Sequence, residues 1–456
     1  MQTRALGAFV VGMTLATLSL TLDAVRADEV PLAPGAPLTL QKAVELALRY
    51  HPARLAAQAE AGAAQERIGE ARSALLPQVY GGAQYLRGTD NGIGDTSYLP
   101  ALGVPRLPSV GQNTNSWQTF DNYLMNVSAF QYLFDFGRTR GLIDQRRAEA
   151  DIERGRQRFV ELDLVFQVTK SYADLLAATE TVKVYEKAVA QRKEHLHEAE
   201  VKSEAGLKPE IDVYTAKAEL ARAQMNLVDA RNAAATGKVA LDNAMGLGPN
   251  APAYTLAETL TYGSISEPVE TFLQTAFSLR PDLKMLQDAA RAAGAEIQQY
   301  RSDYFPILGA TAGYSARGQD LPASNNFDVG LLITWPLFNG FLTEHQIAEV
   351  KLHQEAIRHS IEDMRQRIYL QVKSGYLVWQ ASLDRIHRAE QRVAASRAEL
   401  DLAQKRYETG LGNIIELTDA QRRFTEDEAD LVNALADFST AKAALTRDTG
   451  AGLPQS

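Results

Sequence analysis

Three carboxylates follow two short turns of similar composition, and their positions suit them to act together. Asp212 follows the turn at residues 206–209, whereas Glu416 and Asp419 follow the turn at residues 410–413. Glu416 and Asp419 are three residues apart, so they share one face of a helix. Clustered carboxylates concentrate cations, but acids in the first turns of helices also stabilise the helix dipole. Both interpretations remain open on position alone.

Other reactive side chains form no recognisable site. The chain has seven histidines and no cysteine, and it contains neither a metal-ligand spacing nor a nucleophile motif. His195 and His197 are two residues apart and face different directions on a helix, so we expect the histidines on exposed helix surface. The formal net charge of −9 argues against nucleic-acid binding, which needs a basic face. The sequence therefore predicts no enzyme, no metal site and no cofactor.

The two turns match because the chain contains an internal duplication: one sequence unit occurs twice. The prolines at 52 and 281, and those at 77 and 306, are 229 residues apart. Farther along, the spacing falls from 229 to 204 residues, which leaves 25 additional residues in the first copy. They fall in the turn-rich segment 88–116, which we predict to be a long loop. Three pairs have the spacing of 204: Tyr172 and Tyr376, Gly206 and Gly410, and Gly246 and Gly450.

Each copy predicts the same order of elements: a helix that ends at a proline, a β-hairpin and a long helical hairpin. An unbroken helix from 138 to 205 is about 100 Å long, which exceeds the size of a globular domain. We place the first repeat at 28–267 and the second at 268–456. The helix, β-hairpin and helical hairpin span 39–75, 77–134 and 138–245 in the first copy, and 268–304, 306–338 and 342–448 in the second.

The long helix of the second copy has a coiled-coil-like apolar seam, with apolar residues recurring every three or four positions. The first copy has the same spacing, but its residues are less apolar. The seam of the second copy consists of Ile361, Met364, Ile368, Val372, Gly375, Trp379, Leu383 and Ile386.

The predicted strands alternate between apolar and mixed faces, most clearly at Phe327, Val329 and Leu331. Such alternation fits a membrane barrel strand and also a half-buried soluble sheet. The chain offers four strands, whereas the smallest outer-membrane barrels have about eight. A membrane sheet cannot leave open edges. Three copies, with about twelve strands, would close a barrel.

The first 27 residues predict export. Arg4 precedes an apolar run, and small residues occupy the positions at Val25 and Ala27 that a signal peptidase reads. We expect cleavage after Ala27. The chain has no later apolar stretch long enough for a membrane helix, so any membrane segment must consist of strands.

Four motifs resemble those of the TolC-like outer-membrane efflux proteins. The segments GLKPEIDVYTAKAEL (206–220) and YETGLGNIIELTDAQ (407–421) are similar to the family's two hairpin tips, and LFDFGR and LFNG to its strand-to-helix junctions. The resemblance implies a homotrimer whose shared twelve-stranded β-barrel lies in outer-membrane lipid and continues as a long α-helical barrel across the periplasm. It also implies a periplasmic adaptor (membrane fusion protein) and an inner-membrane pump as partners.

The resemblance further implies roles for the residues at the two turns. Glu416 and Asp419 align with an acidic ring at the periplasmic entrance, Asp212 with an acid of the gate network, and Tyr407 with the gate tyrosine. Gly412 stands where the family has an arginine, so the resemblance implies a latch that is either looser or built differently. Candidate adaptor contacts at the tips are Gly206, Leu207, Lys208, Gly410 and Leu411.

The implied function is an exit duct of a tripartite efflux or type I secretion system, which conducts its cargo passively and is gated at its periplasmic tip. The alternatives are a periplasmic adaptor and a coiled-coil scaffold. An adaptor has one helical hairpin between small β-domains, whereas this chain has two copies of its unit; the signal peptide and the strands argue against a scaffold. The cargo stays open between small molecules, metals and secreted proteins.

Overall fold

The computed structural model describes residues 35–89, 119–264, 266–318 and 323–452. The predicted signal peptide lies outside the described residues, and so does nearly all of the predicted loop at 88–116. Within the described ranges the protein is mainly helical, with a four-stranded antiparallel sheet. In the same ranges, no helix has both the length and the apolar character needed to cross a membrane.

Each copy consists of two short helices, a β-hairpin and a long helical hairpin. The first copy contains β1 (Pro37–Leu38), α1 (Leu40–Tyr50), α2 (Pro52–Ser73), β2 (Gln78–Thr89), β3 (Thr119–Phe134), α3 (Arg138–Glu204) and α4 (Glu210–Ala244). A connecting segment contributes β4 (Thr255–Leu256), which pairs with β1 in parallel. The second copy contains α5 (Val269–Leu279), α6 (Pro281–Ser302), β5 (Ile307–Gly318), β6 (Ser324–Thr334), α7 (Leu342–Glu408) and α8 (Ile414–Thr449).

The first helix of each copy is broken at a proline, so the prediction of one continuous helix was wrong. His51 and Arg280 each precede a proline, and their ψ angles of 126° and 122° are extended. A proline ring disfavours the helical conformation of the residue before it. The helix therefore ends there and restarts with the proline in its first turn. Each bend packs against the left-handed glycine after the last helix of its copy, Gly246 or Gly450.

The long helices α3 and α7 are unbroken over 67 residues each, as the sequence predicts. At 1.5 Å per residue such a helix is about 100 Å long. The predicted seam of α7 faces α8, where Ile368, Val372 and Ile386 are fully buried. Helix α3 packs against both α4 and α8, so the long helices lie in the spatial order α4, α3, α8, α7.

The sheet has the strand order β2–β3–β5–β6, which leaves β2 and β6 as its edges within the described chain. Small residues of β5 make room for larger ones across the strands. A Cβ added at Gly309 would approach a ring carbon of Phe130 to 2.8 Å, and one at Gly313 would approach the Asp328 carboxylate to 2.7 Å. The apolar face of β6 is 69–79% exposed at Phe327, Val329, Leu331 and Ile333.

Two left-handed residues redirect the chain from each β-hairpin into the long helix. They are Phe136 and Gly137 in the first copy, and Gly340 and Phe341 in the second, with φ between 51° and 92°. Asp135 stabilises the first junction because its carboxylate accepts two backbone N–H groups, at 3.1 and 2.7 Å. These junctions place the sheet at one end of the long helices and the hairpin turns at the other.

Candidate functional site at the helical hairpin tips

The two helical hairpins end in turns that depend on one glycine each. Gly206 and Gly410 have φ angles of 68° and 80°, in the left-handed region that glycine adopts without steric cost. The leucine after each glycine is directed to solvent and is 74% exposed in one turn and 76% in the other. We call these turns, with the helix ends that flank them, tip 1 (residues 202–212) and tip 2 (residues 406–419).

A buried tyrosine joins the two tips. Tyr407 is 2% exposed, and its hydroxyl donates a hydrogen bond to Asp212 Oδ2 at 3.5 Å. Two lysines of tip 1 lie over the tyrosine ring: Lys208 Nζ at 4.6 Å and Lys202 Nζ at 5.5 Å from the ring centroid. Burial, with the adjacent Asp212 carboxylate, raises the pKa of Tyr407 to about 12. The hydroxyl therefore stays protonated and remains a donor at physiological pH. We call these four residues the latch.

Gly412 lies in a tight turn, where a side chain would crowd its neighbours. A Cβ at Gly412 would lie 3.0 Å from Arg406 Cβ and 3.1 Å from Tyr407 N. The backbone N–H of Gly412 donates to the Arg406 carbonyl at 2.8 Å, which holds the turn closed. The guanidinium at this tip comes from Arg406, whose Nε lies 3.0 Å from Glu416 Oε1 and whose Nη2 donates to the Leu411 carbonyl at 3.4 Å.

The predicted carboxylates occupy two different environments. Asp212 is buried beside the tyrosine, whereas the side chains of Glu416 and Asp419 on α8 are 40% and 46% exposed. Glu416 pairs with Arg406, and Asp419 Oδ1 lies 3.6 Å from Arg422 Nη2. The backbone N–H of Glu416 also donates to Asn413 Oδ1 at 2.8 Å, so Asn413 is the N-cap of α8. Each exposed acid thus has an arginine beside it in the same chain, which partly neutralises its charge.

Sequence reasoning missed three cations of this site: Lys202, Arg406 and Arg422. A signal for two of them was present, because Lys202 and Arg406 are 204 residues apart and therefore occupy equivalent places in the two copies. No such signal points to Arg422. It lies one helical turn beyond Asp419, a spacing that is common on solvated helix surfaces.

A half-buried histidine lies near the latch, which corrects the expectation that the histidines lie on exposed surface. His195 Nδ1 has no hydrogen-bond partner among the described residues and lies 3.9 Å from Glu198 Oε2. Lys202 Nζ lies 3.7 Å from the same carboxylate oxygen. Burial lowers the pKa of His195, although Glu198, Glu194 and Glu408 oppose this effect. The histidine is therefore largely neutral at physiological pH.

The described ranges contain no group of three His, Cys, Asp or Glu side chains that could hold a metal ion. The arrangement at the tips offers hydrogen bonds, ion pairs and a packed ring, which are means of holding two helix ends together. It offers no nucleophile with an adjacent base.

The chain is similar to several known proteins over most of its length. A family model described as outer membrane efflux protein matches residues 43–247 and 272–451. The outer membrane protein TolC of Escherichia coli K12 is 24% identical over 432 residues, which cover 88% of this chain and 81% of TolC. The alkaline protease secretion protein AprF of Pseudomonas aeruginosa is also 24% identical, over 72% of this chain and 69% of AprF.

The fold agrees with solved structures. The crystal structure of CusC superposes with a TM-score of 0.75 at 18% identity and covers 90% of this chain and 92% of that one. The channel CmeC of Campylobacter jejuni gives a TM-score of 0.76 at 16% identity, over 91% of this chain and 86% of that chain. The two-part family match covers most of the sequence and both helical hairpins. The chain therefore belongs to the outer membrane efflux protein family.

Proposed function

We propose that the protein is the exit duct of a tripartite efflux or type I secretion system, with a passive channel that is gated at the tips. As a member of its family it is an outer-membrane channel protein and not an enzyme. This membership excludes the alternatives of a periplasmic adaptor and a coiled-coil scaffold. One observation carries the gating proposal: the Tyr407 hydroxyl at the end of one helical hairpin donates to Asp212 at the end of the other.

The unpaired edges of the β-sheet and of the layer of long helices support a homotrimer. The strands β2 and β6 are edges of the sheet in the described chain, and four strands are too few to close a membrane barrel. The helices α4 and α7 are the edges of the helical layer, and both carry exposed apolar side chains. Pairing of β2 with β6 and of α4 with α7 in the next subunit would close twelve strands and twelve helices around one axis. Examples of the exposed residues are Met225 and Val228 on α4, and Leu370 and Val378 on α7.

The junction between strands and helices is the proposed periplasmic boundary of the membrane. Exposed aromatic residues cluster there, as at the interfacial girdles of outer-membrane barrels. The Trp335 indole N–H donates to the Tyr304 carbonyl at 3.0 Å, which fixes one of these rings. In the same proposal, the segment 1–27 is cleaved during export and the strands lie in the outer membrane. The other exposed rings are Phe134, Phe136, Phe305, Phe338 and Phe341.

The entrance proposal assigns a role to each predicted tip residue. Asp212 and Tyr407 form the latch with the two lysines, while Glu416 and Asp419 supply carboxylates to the entrance of a trimer. The turn residues, which are exposed except for the half-buried Lys208, are available to a periplasmic adaptor, which in turn holds an inner-membrane pump. These turn residues are Gly206, Leu207, Lys208, Gly410 and Leu411.

The cargo is not defined by this chain. The relatives named above include an alkaline protease secretion protein, and a further relative of 24% identity is the cation efflux system protein CusC of Escherichia coli K12. One fold therefore occurs in systems named for different cargoes, which supports a duct that takes its specificity from its pump. We keep the repeats 28–267 and 268–456 as proposed units; the two matched segments fall within them.

The experiment uses the protein purified in mild detergent and placed in planar bilayers. We expect a trimer that dissociates on heating and a small, cation-selective conductance. Replacing Glu416 and Asp419 together by alanine should lower the cation selectivity and leave the trimer intact, because exposed helix acids contribute little stability. The matched control is Asp174→Ala, an exposed acid of α3 far from the tips. A monomer, or a trimer without conductance, would contradict the duct; unchanged selectivity would remove only the role of the two acids.

A further inference from the structure

A groove lies between α3 and α8, far from the latch, and is formed entirely within one chain. Its volume is about 490 Å³, and residues 261–263 of the connecting segment border it on one side. Pockets that bind small molecules have volumes of about 300–1,000 Å³, so its size suits such a ligand.

The walls of the groove are largely apolar. Leu162, Val165 and Phe166 come from one face of α3, and Phe438 and Ala443 from the facing side of α8. Most hydroxyl groups in the groove are occupied by bonds within their own helices. Among these, the Thr169 hydroxyl donates to the Val165 carbonyl at 2.7 Å and that of Ser439 to the Leu435 carbonyl at 3.2 Å. The groove therefore favours a ligand with an apolar body.

The charge of the groove has one sign. The described residues that line it include Lys442 and Arg447 but no carboxylate, although the chain has 56 acidic and 47 basic residues. Arg447 is already engaged, because its guanidinium lies over the Phe166 ring at 4.3 Å and its Nη2 is 2.9 Å from Asp448 Oδ1. Lys442 is exposed and forms no ion pair with any described residue. The ammonium group of Lys442 thus lies at an apolar groove without an ion-pair partner among the described residues.

From this arrangement we propose that the groove binds an organic anion with an apolar body and a single carboxylate or sulfate head, such as a medium-chain fatty acid. The alkyl chain lies against Phe166 and Phe438, and the head group pairs with Lys442. Because both long helices and the connecting segment line the groove, a bound ligand bridges α3, α8 and residues 261–263 of one subunit.

The test uses the full-length protein in nanodiscs and a dansyl-labelled undecanoate as the probe. We expect saturable fluorescence above that of empty nanodiscs. Lys442→Gln should weaken binding about tenfold, because a charge-assisted contact is lost. The methyl ester of the probe should bind the wild-type protein about as weakly as the acid binds this variant. Ala443→Phe fills the groove and should abolish saturable binding.

The matched control is Lys351→Gln, an exposed lysine of α7 outside the groove, which should bind like the wild-type protein. Trimer mobility on a gel checks that each variant is assembled. Lys442→Gln changes an exposed side chain, so its result stands even if Ala443→Phe fails to fold. No saturable signal above empty nanodiscs, equal affinities of wild type and Lys442→Gln, or equal binding of acid and ester would each overturn the proposal.

Discussion

Tip 1 and tip 2 occupy equivalent places in the two copies and share one backbone turn, but their side chains differ. Both have a left-handed glycine followed by an exposed leucine, and both have a cation at the end of the preceding helix. Beyond that, tip 1 provides a second lysine and the buried acid, whereas tip 2 provides the aromatic ring. The duplication thus gives two tips with the same backbone turn, and the contact between the tips is made by the side chains that differ. The differences that matter for the contact pair Ser203 with Tyr407, Lys208 with Gly412, and Asp212 with Glu416.

The bends between the short helices show the same division between backbone and side chain. Both bends precede a proline and pack against a left-handed glycine. In the first copy His51 accepts the Ala53 backbone N–H at Nδ1, at 3.2 Å. In the second copy the buried Arg280 donates to Asp282, to Gln371 at 2.6 Å and to the Asp448 carbonyl at 3.3 Å. A feature that the backbone requires is present in both copies, whereas the side-chain partners have diverged.

The largest effect is expected at a glycine that the bend requires. In Gly246→Ala the new Cβ would lie 2.7 Å from His51 Cα, at a φ of 74°. Left-handed strain and overpacking together should lower the free energy of unfolding by about 3 kcal/mol. Gly206→Ala is the control, because its φ is 68° with no atom near the new Cβ, and it should lose only about 1 kcal/mol. Urea titration of both variants measures the difference; equal losses would contradict the packing argument.

The next effect concerns the ring that distinguishes tip 2. Tyr407→Phe removes the hydroxyl that donates to the buried Asp212 at 3.5 Å, and leaving that carboxylate without this long hydrogen bond should cost about 1 kcal/mol locally. Hydrogen exchange of the amides in both tips should therefore accelerate. Ser203→Ala changes the equivalent position of tip 1, where the loss should stay within about 0.5 kcal/mol. Equal exchange rates in the two variants would mean that the hydroxyl contributes nothing to the tips.

A smaller effect is expected for the cation over the ring. Lys208→Gln removes an ammonium group 4.6 Å from the Tyr407 centroid, a contact worth about 0.5–1 kcal/mol at a partly exposed site. The same hydrogen-exchange experiment measures it. Lys193→Gln, an exposed lysine on α3 with no ring beneath it, should leave the tips unchanged. If Lys193→Gln loosened the tips as much, general charge and not the cation–π contact would be responsible.

The smallest effect is a pH dependence of tip 1. Because burial lowers the folded-state pKa of His195, neutral histidine stabilises the fold above its ordinary pKa of about 6.5. That stability decreases as the pH falls from there through the folded-state pKa. Glu198, Glu194, Arg192 and Glu408 are the charged groups that act on it. We expect protection of the tip 1 amides to decline between pH 7 and pH 5, and His195→Gln to remove the decline. An unchanged decline would assign it to the carboxylates.

The order of elements could be predicted from the sequence because it depends on local patterns. The repeat spacing located both copies, and the seam of α7 followed from the periodicity of its apolar residues. The bends at His51 and Arg280 were missed although the prolines after them were in view, because only the end of each helix was assigned to a proline. The strand-to-helix junctions use Phe136–Gly137 and Gly340–Phe341 in opposite order, and no propensity rule assigns a left-handed φ to phenylalanine.

The candidate site was only partly predictable. Tyr407 and Asp212 came from resemblance, but their contact joins residues 195 positions apart and depends on the packing of α3 against α8. The lysines over the ring and the arginine beside Glu416 are placed by the conformation of the two turns, the second of which is closed by the Gly412 N–H on the Arg406 carbonyl. A sequence lists these charges, but it does not say which of them face each other.

In the proposed gate, Tyr407 and Asp212 keep the entrance closed through one shared contact. Single-channel conductance in planar bilayers tests it most directly, on the wild type, Tyr407→Phe, Asp212→Ala and the double variant. We expect a higher conductance for each single variant and no further increase for the double variant, because both changes remove the same hydrogen bond. Single variants that conduct like the wild type, or increases that add in the double variant, would contradict the claim.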